Sequence, residues 1–86
     1  MGIDGKAAIS IDDAGVIRAI ADKIARYLER HPEAADSAEG IQRWWLDPDT
    51  RAERIANIER ALQYLEASGL VKKSVVGGKA IYRLSS

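Results

Sequence analysis

The residues of this 86-residue chain best placed to do chemistry are cations, and they concentrate late in the sequence. Arg51, Arg54 and Arg60 recur at intervals of three and six with Asn57 between them, and Lys72, Lys79 and Arg83 follow. Residues 51–86 hold seven Lys/Arg against three Asp/Glu, whereas residues 1–50 hold six against ten. A neutral total thus conceals a net of −4 in the first part and +4 in the second. Such a split either lets the two halves attract one another or turns a positive face toward an anionic partner. What these side chains offer is charge neutralisation and hydrogen-bond donation, not bond making.

Catalytic and metal chemistry find little support. With no cysteine there is neither a disulfide nor a thiolate ligand, a composition that suits a reducing compartment such as the cytoplasm. His31 is the single histidine and stands beside Pro32, a helix-terminal or loop position. No serine or threonine has a histidine base in an evident pattern. Asp12-Asp13 and the Asp47/Asp49 pair read as helix caps rather than as metal or acid–base groups. Gly77-Gly78 has no following helix with which to cradle a phosphate. The expectation is a non-enzymatic protein with no cofactor and no bound metal. No apolar run nears the roughly 18 residues of a membrane span, and no leader-like start is evident, so no membrane partner is expected.

Positioning the cations falls to elements that the periodicity outlines. At 47% hydrophobic content the chain can bury one core, and not two. Residues 1–12 read as an N-terminal arm, in which Ala7–Ile11 can form a short strand. Asp12 or Asp13 then caps a helix to about Arg30, with Ile17, Ile20, Ile24, Tyr27 and Leu28 as its buried stripe. Pro32 stops it. A shorter helix starts at Asp36 or Ser37 and ends near Leu46, and Asp47-Pro48-Asp49 is a turn. Thr50 and Glu53 have capping-box spacing for a third helix, Arg51 to Ser68, whose core stripe is Ile55, Ile58, Leu62 and Leu65. Arg51, Arg54, Asn57 and Arg60 lie off that stripe or on its edge.

The chain closes on Leu65-Glu66-Ala67-Ser68-Gly69-Leu70-Val71, then Lys72–Val76, Gly77-Gly78 and Lys79–Leu84. Gly69 suits the left-handed position after a helix. Gly77-Gly78 suits a two-residue hairpin turn. That turn pairs Val76 with Lys79, Val75 with Ala80, Lys73 with Tyr82 and Val71 with Leu84. Alternation sends Val71, Val75, Ala80, Tyr82 and Leu84 toward the helices. Lys72 and Arg83 then face each other on the outer side, which costs a few tenths of a kcal/mol unless an anion lies near.

Three helices followed by a hairpin, with this leucine–polar–glycine–Leu-Val junction, resemble the winged helix-turn-helix superfamily over about Asp13 to Leu84. The resemblance implies an α+β fold: a three-helix winged-helix domain over residues 13–86 with a C-terminal two-stranded hairpin, to which the N-terminal strand can be added. It further implies double-stranded DNA as partner and a regulatory role in transcription. The third helix would enter the major groove and the hairpin would reach the backbone or minor groove. Mapped onto this sequence, the groove residues are Arg51, Arg54, Asn57 and Arg60. The hairpin contributes Lys72, Lys79 and Arg83, with Lys73 near them. Arginine can address guanine or phosphate, asparagine adenine, and lysine phosphate. The same cations on an exposed helix face can equally be ordinary solvated residues.

Helix two departs from the family pattern. Trp44 stands where a small residue usually lets the second and third helices approach, and Leu46 where glycine is common, before a lengthened turn Asp47–Thr50. Two acids in that turn would lie near an approaching phosphate. Adjacent tryptophans point about 100° apart. Trp45 is therefore expected in the core with Ala38 and Ile41, and Trp44 half exposed. An exposed tryptophan is a frequent anchor of protein interfaces, so the rival reading is a docking adaptor that holds a partner protein through helix two and Trp44. A homodimer would need the N-terminal segment, since no other part offers a dimerisation element.

Overall fold

The computed structural model describes residues 2–85, with side-chain environments from Ala14 onward. Helix α1 runs from Gly2 to Arg30. Two sequence expectations are corrected here. The backbone of Ala7–Ile11 is helical rather than extended, and Asp12 and Asp13 lie inside the helix instead of capping it. Alanines at 7, 8 and 14 favour helix more than the isoleucine alternation favours strand. The second half of α1 follows expectation: Ile20, Ile24 and Leu28 are buried, with Ile17 and Tyr27 half-buried at the edges of the stripe. Pro32 follows the helix end, and the N–H of His31 closes it on the Tyr27 carbonyl at 2.8 Å.

A two-residue strand β1 (Ala35–Asp36) comes next. Ser37 then caps helix α2 (Ala38–Gly40), its hydroxyl oxygen accepting from the Gly40 N–H at 3.2 Å. The helix widens at once into a π-helical stretch, Ile41–Trp45. Ile41 is wholly buried. Trp45 is half-buried and lies parallel to the Tyr27 ring, with centroids 4.7 Å apart and planes 10° from parallel. Trp44 points away and keeps 70% of its surface exposed. The two indoles differ in the expected direction, but Trp45 is only partly buried against the core, stacked on α1, and Trp44 is more exposed than the expected half.

The Asp47-Pro48-Asp49 turn and the long third helix are both corrected. Pro48–Arg51 forms a single helical turn, α3, and α4 starts only at Ile55 and runs to Ala67. Aspartate before proline is a favoured helix start, so the chain coils at Pro48 before Thr50 can act as a cap. Thr50 instead is buried within α3 and donates its hydroxyl to Asp47 Oδ1 at 2.6 Å. The break that follows has an identifiable cause. Gln42 donates its side-chain amide to the carbonyls of Arg51 (3.2 Å) and Glu53 (2.7 Å). In a continuous helix those oxygens would accept from the N–H groups of residues 55 and 57.

Lys23 on α1 clamps this turn, donating to Asp47 Oδ1 at 2.9 Å and to the Thr50 hydroxyl. The hydrogen bonds from Thr50 and Lys23 hold the Asp47 carboxyl well below the usual carboxylate range. A folded-state pKa below the unfolded value of about 3.9 means that the ionised cap stabilises the fold above that pH and stops doing so as acid protonates it. Asp47→Asn should therefore lower the urea midpoint at pH 7. The gap to the parent chain should begin to close near pH 4 and shrink further as the pH is lowered, as read by circular dichroism across a pH series.

Helix α4 ends in a Schellman arrangement. The N–H of Leu70 donates to the Leu65 carbonyl at 3.0 Å and that of Gly69 to Glu66 at 3.1 Å, with Gly69 at φ 87°. The chain is thereby turned into strand β2 (Val71–Val76), and Gly77-Gly78, both at positive φ, turn it back into β3 (Lys79–Leu84). The register is the expected one from Val71↔Leu84 to Val76↔Lys79. A third strand does join this hairpin, but it is β1 on the β3 edge, giving the antiparallel order β1-β3-β2. Val71 and Tyr82 are buried and Ala80 and Leu84 half-buried, as the alternation requires. Val75 departs from it at 68% exposure.

The core joins Ile20, Ile24 and Leu28 of α1 to Ile41, to Ile58, Leu62 and Leu65 of α4, and to Val71 and Tyr82 of the sheet. The fold is α+β, with four α-helices and a three-stranded antiparallel sheet among the described residues. Among the described residues no helix is long and apolar enough to cross a membrane.

Candidate nucleic-acid interface

Helix α4 is amphipathic for a plain reason. Ile58, Ala61, Leu62 and Leu65 recur at three- and four-residue steps and are buried against α1 and the sheet. At about 100° per residue the opposite side carries Ala56, Arg60, Gln63 and Ala67, all exposed. Small side chains at both ends and two long donors in the middle make this stripe the most approachable line on the helix. Arg60 and Gln63 have no hydrogen-bond or ion-pair partner among the described residues. Gln63 escapes a reading that starts from charge. Its position opposite the buried stripe is the signal that finds it.

The other sequence candidates are distributed unevenly. Arg51 lies on α3, not on the long helix, and its guanidinium donates to the Leu46 carbonyl at 3.0 Å, tying the turn together. Arg54 occupies the position before α4 and is exposed. Asn57 is half-buried and donates to Glu53 Oε1 at 3.1 Å. Arg60 alone among the four combines exposure with a place on the outward stripe. Lys72, Lys73, Lys79 and Arg83 are all exposed on the hairpin, and Lys72 and Arg83 are direct cross-strand neighbours. Lys79 comes close to the helices, sharing a hollow with Glu39 and Glu59 beneath the hairpin.

Acidic groups shape the site as much as the cations do. Glu59 and Glu66 occupy the flank of α4 nearest the sheet. Burial, followed by the carboxylates of Glu59, Glu66 and Glu39, raises the Tyr82 phenol above its ordinary value. The acids of the turn face elsewhere. Asp47 is held by Lys23, and Asp49 and Glu53 line a hollow against Val16, Ile20 and Lys23 of α1. A phosphate approaching the outward stripe of α4 meets Arg60 on it, while Arg54 is exposed at the start of the helix. Among the described residues no group of three or more His, Asp or Glu side chains is placed to hold a metal ion.

No family model, curated protein or solved structure gives a significant match to this chain.

Proposed function

We propose that the chain is a non-enzymatic winged-helix protein that binds double-stranded DNA in a regulatory role. The observation that carries this reading is the exposed line Ala56–Arg60–Gln63–Ala67 on α4, with both donors uncommitted, beside a hairpin bearing Lys72, Lys79 and Arg83. The winged-helix reading is supported by the succession of helix, short strand, the three helices α2 to α4 and hairpin, and by the placing of the short strand against β3. In this arrangement α4 lies in the major groove. Arg60 addresses a guanine edge or a phosphate, and Gln63 an adenine edge. Arg54 at the helix start and the hairpin lysines neutralise flanking phosphates. Arg51 and Asn57 act indirectly, by fixing the turn and the first residues of α4.

Selecting preferred sites from a random duplex pool and then measuring Gln63→Ala on the selected site tests the assignment. A lost bidentate adenine contact should weaken that complex by about 1–3 kcal/mol while affinity for unselected duplex stays within error. An equal loss on both would make Gln63 a backbone contact. An unchanged affinity on both would remove it from the interface.

A second reading rests on Trp44, which is 70% exposed on the π-helical stretch and is of a residue type that frequently anchors protein interfaces. In it the chain docks a partner protein through helix two. Trp44→Ala should then change the unfolding free energy by no more than about 0.5 kcal/mol. If chemical denaturation instead shows a large loss, Trp44 belongs to the fold and this reading falls.

A further inference from the structure

The last turns of α1 carry a second group of cations that the proposed duplex interface does not use. Lys23, Arg26 and Arg30 repeat at steps of three and four, which stacks like charges along one line of the helix. Lys23 is neutralised by Asp47. Arg26 and Arg30 are exposed, and neither has an ion-pair partner among the described residues. Cations near a helix C-terminus are favoured by the helix dipole, which accounts for their presence but not for their surroundings.

Those surroundings are aromatic. Tyr27 is stacked on Trp45 and also lies 4.4 Å, centroid to centroid, from the exposed ring of His31. Two shallow hollows meet at these rings. One, of about 230 Å³, is bounded by Lys23, Arg26, Arg30 and Trp45. The other, of about 430 Å³, is bounded by Arg30, His31, Pro32 and Glu33. Tyr27 and Arg30 border both, so the hollows form one open track around the end of α1. An enclosed pocket would point to a small molecule. An open track with two unpaired guanidiniums and a run of rings has the features that hold a flexible polyanion bearing flat groups.

We propose that this track binds single-stranded nucleic acid, with Arg26 and Arg30 on successive phosphates and a base laid against the exposed ring of His31. Guanidiniums one helical turn apart can bridge neighbouring phosphates, and base–aromatic stacking tolerates any sequence. Carboxylates at the rim set the limit on charge: Asp47 is already bound by Lys23, and Glu33 stands beyond His31. The site is separate from α4 and the hairpin and does not depend on the duplex reading.

The test is a fluorescence-anisotropy titration of a labelled mixed-sequence oligonucleotide of about twelve nucleotides with the full chain, from about 50 to 200 mM salt. The expected result is salt-sensitive binding. Arg26→Gln with Arg30→Gln should weaken it at least about tenfold at the lowest salt and reduce the log–log salt slope by about 1.4, the value for two single-strand phosphate contacts. His31→Ala should weaken binding without changing the slope, which separates stacking from charge. Far-ultraviolet circular dichroism and a thermal melt verify that these exposed substitutions keep the fold.

No binding at low salt would overturn the proposal, as would equal affinities of the parent and the double variant. Competition by a free nucleoside triphosphate at the oligonucleotide's own concentration would also overturn it, in favour of a mononucleotide site. Duplex titrated in parallel keeps the two readings apart. Loss of duplex binding alone leaves this proposal standing, and loss of single-strand binding alone leaves the duplex reading standing.

Discussion

Replacing Leu62 by alanine should lower the unfolding free energy by about 3 kcal/mol. Leu62 is fully buried on α4, on the face that packs against α1, with Ile58 and Ala61 equally enclosed beside it. Truncation there loses the transfer energy of three carbons and leaves a void that two rigid helices fill poorly. A domain of this length has a total stability of roughly 4–13 kcal/mol, so the loss is a large share of it. The melting temperature should fall by about 12–24 °C in a calorimetric scan. Val75→Ala, at a position 68% exposed on the hairpin, should stay within about 0.5 kcal/mol in the same experiment. Comparable losses at both positions would mean that the α1–α4 contact is not the centre of the core.

Removing charge should have an equally large effect, on binding rather than on stability. Replacing Arg54, Arg60, Lys72 and Lys79 together by alanine should reduce the salt slope of duplex binding by about 3.6, at roughly 0.9 per phosphate contact, if all four neutralise phosphates. Arg60 contributes less to the slope, and more to sequence preference, if it bonds a guanine edge instead. All four side chains are exposed and make no hydrogen bond or ion pair among the described residues, so the fold should survive their loss. Extending the set to Arg51 would confuse the result, because its guanidinium holds the Leu46 carbonyl. That residue illustrates how sequence position misleads: spacing groups it with Arg54, while the structure assigns it to the turn.

Much of the scaffold is legible in the chain itself. Two glycines fix the hairpin turn, and the turn then fixes every cross-strand pair, so the register from Val71 to Leu84 follows from residues 77 and 78 alone. Gly69 is equally direct, since a glycine just past a leucine-rich helical stripe takes the left-handed conformation that closes the helix. The isoleucine steps of α1 and α4 locate the core for similar reasons.

What sequence reasoning missed depends on contacts between distant residues. The break between α3 and α4 requires the Gln42 amide to reach carbonyls nine and eleven positions later, and no local propensity announces that. Asp47 wins the capping position from Thr50 because Pro48 follows it and Lys23 arrives from α1. The helical backbone of residues 7–11 reflects a balance between alanine and isoleucine preferences that a short alternation misjudges. The candidate site was half legible. Arg60 and the hairpin cations were visible as charge, whereas Gln63 emerges only once the buried face of α4 is known.

If α4 and the hairpin together form a surface for duplex DNA, the affinity of the full chain for random-sequence duplex must fall as salt rises from about 50 to 200 mM. An equilibrium titration across that range reads this directly. The cations Arg54, Arg60, Lys72, Lys79 and Arg83 predict binding at low salt with a log–log slope of about −4.5, one contact for each. No detectable binding at about 50 mM salt, or affinity independent of salt, would contradict a duplex-binding role for this surface.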